Sequence, residues 1–148
     1  MPSATTTDNL YKKYMYWILH GVRTYTPTAS VWVGLFVTAP TTAGGGVEVV
    51  DNATTKYKRV EVPCTTEYWS NAQNQNLEIN NLKEITFPVP GDSWGTINAA
   101  VIFDSATGNV VDNGLWIGII VTPKPVSAGD GAPRILAGQL KISRASCP

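Results

Sequence analysis

Apolar and polar residues alternate most clearly after Trp94, where Ile97, Ala99, Val101 and Phe103 fall on one face and Thr96, Asn98, Ala100 and Asp104 on the other. A two-residue period of this kind predicts a half-buried strand. A second apolar run, Leu115 to Val121, follows a turn-rich gap and meets Thr122-Pro123-Lys124-Pro125. A third segment, Ile135 to Ile142, alternates again. Three such segments in succession predict an antiparallel β core. Upstream, Val31 to Thr38 puts Val31, Val33, Leu35 and Val37 on one face and Trp32 and Phe36 on the other, so a strand there is expected to be covered on both sides. Shorter strands are expected at Lys56 to Cys64, where Tyr57, Val60 and Val62 are in imperfect register, and at Leu82 to Pro88.

A helical period occurs near the start. Leu10, Tyr11, Tyr14, Met15, Ile18 and Leu19 form one stripe, Thr7 or Asp8 can cap the first turn, and His20-Gly21 supplies a stop. The stripe is expected to pack on the sheet. Before it, residues 1–7 read as a Thr-rich flexible leader. Arg23 to Ser30, Ala39 to Gly46 and the Asn/Gln-rich Ser70 to Asn81 read as loops, and residues 144–148 as a tail. The pattern as a whole predicts a mainly β protein: one antiparallel β-sandwich domain over 8–143 with one N-terminal α-helix. Its core candidates are Trp32, Phe36, Trp94, Val101, Phe103, Trp116 and Ile119.

Composition narrows the function. The 148 residues carry a formal net charge of zero, and charged residues make up 15 % against a usual quarter. That balance leaves no electrostatic footprint for nucleic acid. A charge-poor surface suits a protein packed against others; a neutral monomeric domain fits the composition equally. No segment reaches the run of about 18 to 20 apolar residues that a membrane span requires, and the start lacks the basic and apolar regions of a signal peptide. A cytosolic site of synthesis or assembly is expected. The two cysteines, Cys64 and Cys147, match no metal spacing. Cys64 is expected as a small buried hydrophobe and Cys147 as free, with a disulfide between them the less favoured alternative in a reducing compartment.

Little in the chain suggests catalysis. Asp92, Asp104, Asp112 and Asp130 lie beside Gly, Asn or Ser, where carboxylates cap turns. The single histidine, His20, has a capping position and no serine–aspartate constellation around it. Gly44-Gly45-Gly46 lacks the Lys-Ser/Thr of a phosphate loop, and Asn52-Ala53-Thr54 has the form of a glycosylation acceptor that would need secretion to matter. Lys56-Tyr57-Lys58-Arg59 is the densest basic patch. Basic and aromatic residues interleaved can bind nucleic acid, but a solvated strand end explains the patch in a neutral protein. Carboxylates paired only in space are invisible at this level; with no enzyme signature, no cofactor and no metal are expected. Five tryptophans could stack on sugars. Of these, Trp17, Trp32, Trp94 and Trp116 lie in apolar periodic surroundings, and Trp69 beside the polar loop is the candidate exposed platform.

The order of motifs carries a resemblance. A starting helix precedes Val31-Trp32-Val33-Gly34-Leu35-Phe36-Val37-Thr38, a Gly-rich turn with Glu48, and Tyr57-Lys58-Arg59. Then come Ile85-Thr86-Phe87-Pro88, Trp94-Gly95-Thr96-Ile97, Ile102-Phe103-Asp104-Ser105-Ala106-Thr107-Gly108, Thr122-Pro123-Lys124-Pro125-Val126, Ala128-Gly129-Asp130 and Ala137-Gly138-Gln139-Leu140. Over about residues 10 to 143 this resembles a family of small bacteriophage structural proteins usually labelled tail fibre proteins. The resemblance implies a β-sandwich virion component without catalysis, assembled in the host cytoplasm, whose partners are copies of itself and other virion proteins. The position on the particle is not given by the resemblance; the expected role is a tail or neck fibre, collar or adaptor, with a capsid decoration protein and a module binding a host-surface glycan as the alternatives. Neither nucleic acid nor membrane is an expected partner. Two places depart from the family pattern: the extra residues Asn109 to Gly114, expected as a longer hairpin or protruding tip, and the tail. Loops at the ends of the sandwich are the expected contact sites, with Trp69, Asn71, Asn74, Asn76, Gly45, Asn109, Asp112 and Asn113 as the candidates.

Overall fold

A computed structural model of the chain describes residues 5–19, 27–72 and 77–143. In chain order the elements are β1 (Thr5–Thr6), α1 (Asp8–Leu19), β2 (Ser30–Thr38), β3 (Val47–Glu48), β4 (Val60–Pro63), β5 (Ile79–Asn80) and β6 (Ile85–Thr86). There follow β7 (Gly95–Phe103), α2 (Val110–Asn113), β8 (Gly114–Val126), β9 (Arg134–Ile135) and β10 (Lys141–Ile142). The fold is mainly β and antiparallel, with one N-terminal helix.

Six strands form the main sheet in the order β1-β8-β7-β2-β3, with β4 also on β2. The outer edge of β2 is shared: β4 pairs with Ser30 to Val33, and β3 with Phe36 and Thr38. The third segment expected in the core, Ile135 to Ile142, stays outside this sheet. A turn at Gly138 splits it into β9 and β10, which pair with β6 and β5 as two small ribbons. Buried Asn81 ties the ribbons together. Its side-chain amide donates to the carbonyls of Lys83 (2.8 Å) and Leu136 (3.0 Å), and its Oδ1 accepts from the Leu140 amide at 2.9 Å.

Both faces of the central strands are buried. Val31, Val33, Leu35, Ala100 and Ile102 pack with Ile85, Phe87 and Leu140 of the ribbon layer, which makes the second layer of the sandwich. Phe36, Ala99, Val101, Phe103 and Ile117 form a second cluster, closed by Val110 of α2. The half-buried reading of β7 is therefore corrected: Ala100 and Ile102 are as buried as their neighbours. Ile97 also leaves the face of Ala99, Val101 and Phe103 and joins the first cluster, because the register shifts between Ile97 and Ala99. A second shift leaves Leu115 unpaired between the Phe103–Gly114 and Ile102–Trp116 pairs. Beyond that point β8 runs on through Pro123 and Pro125. Prolines are tolerated there because, among the described residues, that outer edge of β8 has no paired neighbour.

Three further expectations differ from the structure. Of the helical stripe only Leu10 is buried; Tyr11, Tyr14, Ile18 and Leu19 are exposed, as is Trp17. The described part of the leader, residues 5–7, is tied down rather than free. Thr5 and Thr6 pair with Ile117 and Trp116, and buried Thr7 donates its hydroxyl to the Gly114 carbonyl (2.6 Å) while accepting the Leu10 amide as the cap of α1. The protruding tip expected at Asn109 to Gly114 is a helical turn that buries Val110. Asn109 caps it, its Oδ1 accepting the Asp112 amide at 2.8 Å. Val111 of this turn lies against Gly44, where any side chain would collide with it.

Candidate functional site

Two places in the molecule concentrate side chains of functional interest, and they are built in opposite ways. The first is a clamp at the gap on the edge of β2 between β4 and β3. Neither strand pairs with Leu35 there, so the backbone needs another partner. Tyr57 supplies it: its hydroxyl accepts the Leu35 amide at 2.8 Å and donates to Glu48 Oε1 at 2.8 Å. Arg59 donates to both oxygens of the same carboxylate, Nε to Oε1 at 2.8 Å and Nη2 to Oε2 at 2.7 Å. Its remaining donors hold the carbonyls of Ser105 (3.1 Å) and Gly108 (2.6 Å), and its guanidinium lies 3.4 Å over the ring of Phe103. Gly34 floors the clamp because a Cβ would stand 2.7 Å from Glu48 Oε1 and 3.2 Å from the Tyr57 hydroxyl.

The electrostatics follow from this geometry. Burial, and next the Glu48 carboxylate, push the Tyr57 phenol far above the ordinary tyrosine range. The densest basic patch of the sequence is thus divided, with Lys56 and Lys58 exposed and Tyr57 and Arg59 turned inward. Arg59 belongs to the clamp, Tyr57 is buried, and Lys58 pairs with Asp51 at 2.6 Å. None of this prepares a nucleophile or a proton donor for a substrate. Carboxylates in turns have structural partners too. Asp104 pairs with Lys13 and accepts from Asn113, Asp130 accepts the Ser127 amide at 2.7 Å, and Asp92 accepts that of Ser93 at 2.7 Å. Among the described residues no group of three or more His, Cys, Asp or Glu side chains is placed to hold a metal, and no helix is long and apolar enough to cross a membrane.

The second place is open. An apolar groove of about 290 Å³ lies where Tyr14 of α1 meets Ile102, Leu115 and Trp116 of the sheet, Trp69, and Ile79 and Ile142 of the β5–β10 ribbon. Beside it α1 presents Tyr11, Trp17, Ile18 and Leu19, each more than half exposed. A helix of the right period thus shows its apolar residues to solvent over two turns. Isolated exposed apolar residues need no explanation; several on one short helix beside an apolar groove make that helix the candidate for an interaction surface. The groove has few polar groups to orient a ligand.

The residues singled out from sequence scatter between these places. Trp69 is half-buried, its indole N–H donating to the Pro63 carbonyl at 3.0 Å, and it lines the groove rather than standing free. Asn71 and Gly45 are exposed. Asn109, Asp112 and Asn113 spend side-chain groups within α2 and on Asp104. Asn74, Asn76, His20 and Cys147 lie outside the described residues. Of the core candidates, Phe36, Trp94, Val101 and Phe103 are buried and Trp32 and Trp116 half-buried. Ile119 is a correction at 46 % exposed: opposite Ala99, it lies outside the cluster that Val110 closes. Cys64 is exposed on the groove wall, not buried, though partial burial still raises its thiol above the ordinary range. Sequence reasoning missed the clamp. The signal available was Tyr57 and Arg59, two residues apart and therefore able to share one side of an extended segment.

A family model matches nearly the whole chain. The family model described as Podophage GP4 fiber I protein gp80 matches residues 5–143. No curated protein matches the chain.

Proposed function

The chain belongs to the Podophage GP4 fiber I protein gp80 family, a phage tail fibre family, and from that premise we propose that it serves as a tail or neck fibre, collar or adaptor subunit working through repeated protein–protein contact. Membership makes it a structural protein of the phage particle. Its place on the particle, its assembly in the host cytoplasm and its contact surface are the proposed part. The observation that carries the contact surface is the exposed apolar side of α1, where Tyr11, Trp17 and Ile18 share a face with Tyr14, which lines the groove with Trp69 and Trp116. Desolvating such aromatic residues at a protein contact is where binding energy concentrates. The partners are copies of the chain and neighbouring virion proteins.

This moves the weight from the loops to the helix. Asn71 and Gly45 remain rim candidates, whereas Asn109, Asp112 and Asn113 are engaged in holding α2. Glycan binding has less support, since sugar recognition needs several convergent polar groups beside the aromatic platform and the groove is apolar. A cryo-EM map of the particle tests the reading: the chain is expected in the tail or neck with α1 buried against a neighbour. A position on the capsid surface would favour the decoration alternative, and α1 left in solvent would remove the contact surface.

A further inference from the structure

We propose that Lys13, Asp104 and Asn113 form a self-processing site in which the Lys13 amine and the Asn113 carboxamide join as an intramolecular isopeptide bond, fastening α1 covalently to α2. Asp104, directly after β7, bridges the other two side chains. Its Oδ2 takes the Nζ of Lys13 on α1, and its Oδ1 accepts the Nδ2 of Asn113 on α2 at 3.0 Å. An amine nucleophile and an amide leaving nitrogen therefore sit on the two oxygens of one carboxylate, the placement that a proton carrier between them needs. An ion pair alone would need only Lys13. The carboxylate is shielded from water: the Asp104 side chain is 9 % exposed and that of Lys13 26 %. The backbone fixes Asn113 as well, its amide donating to the Asn109 carbonyl at 3.0 Å and its carbonyl accepting the Asp104 amide at 3.0 Å. Its carboxamide oxygen lies over Gly108, where a Cβ would stand 2.1 Å from it. Thr7 and Asn9 tie the start of α1 to the Gly114 carbonyl, one residue beyond Asn113, at 2.6 and 2.9 Å. Both reactants are thus oriented before the reaction, which replaces a chance encounter by a high effective concentration.

The step is a transamidation and needs no oxidant and no cofactor. Lys13 passes one ammonium proton to Asp104, and the freed lone pair attacks Cγ of Asn113. The new C–N bond gives a tetrahedral intermediate. Asp104 hands a proton to Nδ2, the Cγ–Nδ2 bond breaks, and ammonia leaves. The second proton lost from the lysine nitrogen goes with it as ammonium, so Asp104 ends ionised, as it began. The product amide closes a loop of about 100 residues and restricts the unfolded chain, as any crosslink does. It also turns the first turns of α1 into a fixed mount for the exposed side of that helix. The bond forms within one chain, whatever the place of that chain in the virion.

The test is mass spectrometry of the full chain after incubation at neutral pH until its mass is constant. The intact mass should fall by about 17 Da, one ammonia. Trypsin should then leave the joined Lys13 uncut and release a branched peptide, residues 13–23 linked to residues 84–134, with fragment masses placing the link at Lys13 and Asn113. Lys13→Arg keeps the ion pair and should retain its full mass. Asp104→Asn, folded by circular dichroism, should lack the branch although both joining residues are present. A native chain of full mass that trypsin cuts after Lys13 would overturn the proposal. So would a loss of about 17 Da without the branch, the mark of a succinimide at Asn113-Gly114, or an undiminished branch in folded Asp104→Asn.

Discussion

The clamp and the α1 surface are both rich in aromatic and basic residues, yet one is closed and the other open. Around Phe103 every polar group has a partner within the chain: Glu48 takes three hydrogen bonds, Arg59 reaches two further carbonyls, and Tyr57 completes the backbone of β2. Around Trp17 the apolar residues stand in water. Residue type alone does not separate them. What separates them is whether the topology brings a second layer over the side chains. The sheet edge receives Tyr57 and Arg59 from one segment and Glu48 from another, whereas α1 is anchored over its first two turns by Thr7, Leu10 and Lys13–Asp104 and leaves Trp17, Ile18 and Leu19 exposed beyond them. The closed region sets stability, and the open one has surface left for a partner.

Substitutions should reproduce this division. The largest effect is expected for Phe103→Ala, at about 3 to 5 kcal/mol in chemical denaturation, because the ring is fully buried and supports the guanidinium; a loss below about 1 kcal/mol would place the ring outside the core. Arg59→Met comes next. It leaves the Glu48 carboxylate with only the tyrosine hydroxyl, and since Glu48 keeps some solvent exposure the cost should be about 2 to 3 kcal/mol rather than the full penalty for a broken buried pair. Tyr57→Phe orphans the Leu35 amide and should cost about 1 to 3 kcal/mol.

Tyr57 also gives a pH signature. Its folded-state pKa is raised, so the stability it contributes is complete below the ordinary tyrosine value of 10.0 and is lost as pH rises beyond it, when the unfolded chain ionises and the folded one does not. Melting temperatures of the native protein should therefore fall more steeply above about pH 10 than those of Tyr57→Phe. Parallel curves would contradict the buried phenol.

Much of this architecture was legible in the sequence and some was not, for identifiable reasons. The alternation of Val31 to Val37 and of Ala99 to Phe103 reports strands directly, because side chains on a pleated strand point to alternate faces. It misplaces Ile97, since one register shift reverses every side chain beyond it. The 3.6-residue period of Leu10 to Leu19 reports a helix and its one-sidedness, but not which side meets the protein, and only Leu10 is buried. The one-turn α2 is too short for a period. Its trace was local, Asn109 three residues before Asp112, the spacing of a cap. The clamp was hidden because Glu48, Tyr57, Arg59 and Phe103 converge through strand pairing across more than fifty residues.

The smallest effect on stability is expected on α1. Trp17→Ser with Ile18→Ser should shift the folding free energy by no more than about 0.5 kcal/mol, the usual range for surface positions. A loss like that of Phe103→Ala would show that the helix face is part of the core after all.

The most direct test is incorporation. Phage grown with the Trp17→Ser/Ile18→Ser chain as sole copy should contain little or none of it in purified particles, although the isolated variant melts at the temperature of the native protein. A folded variant present at native stoichiometry would contradict the assignment of α1 as the surface through which this protein joins the virion.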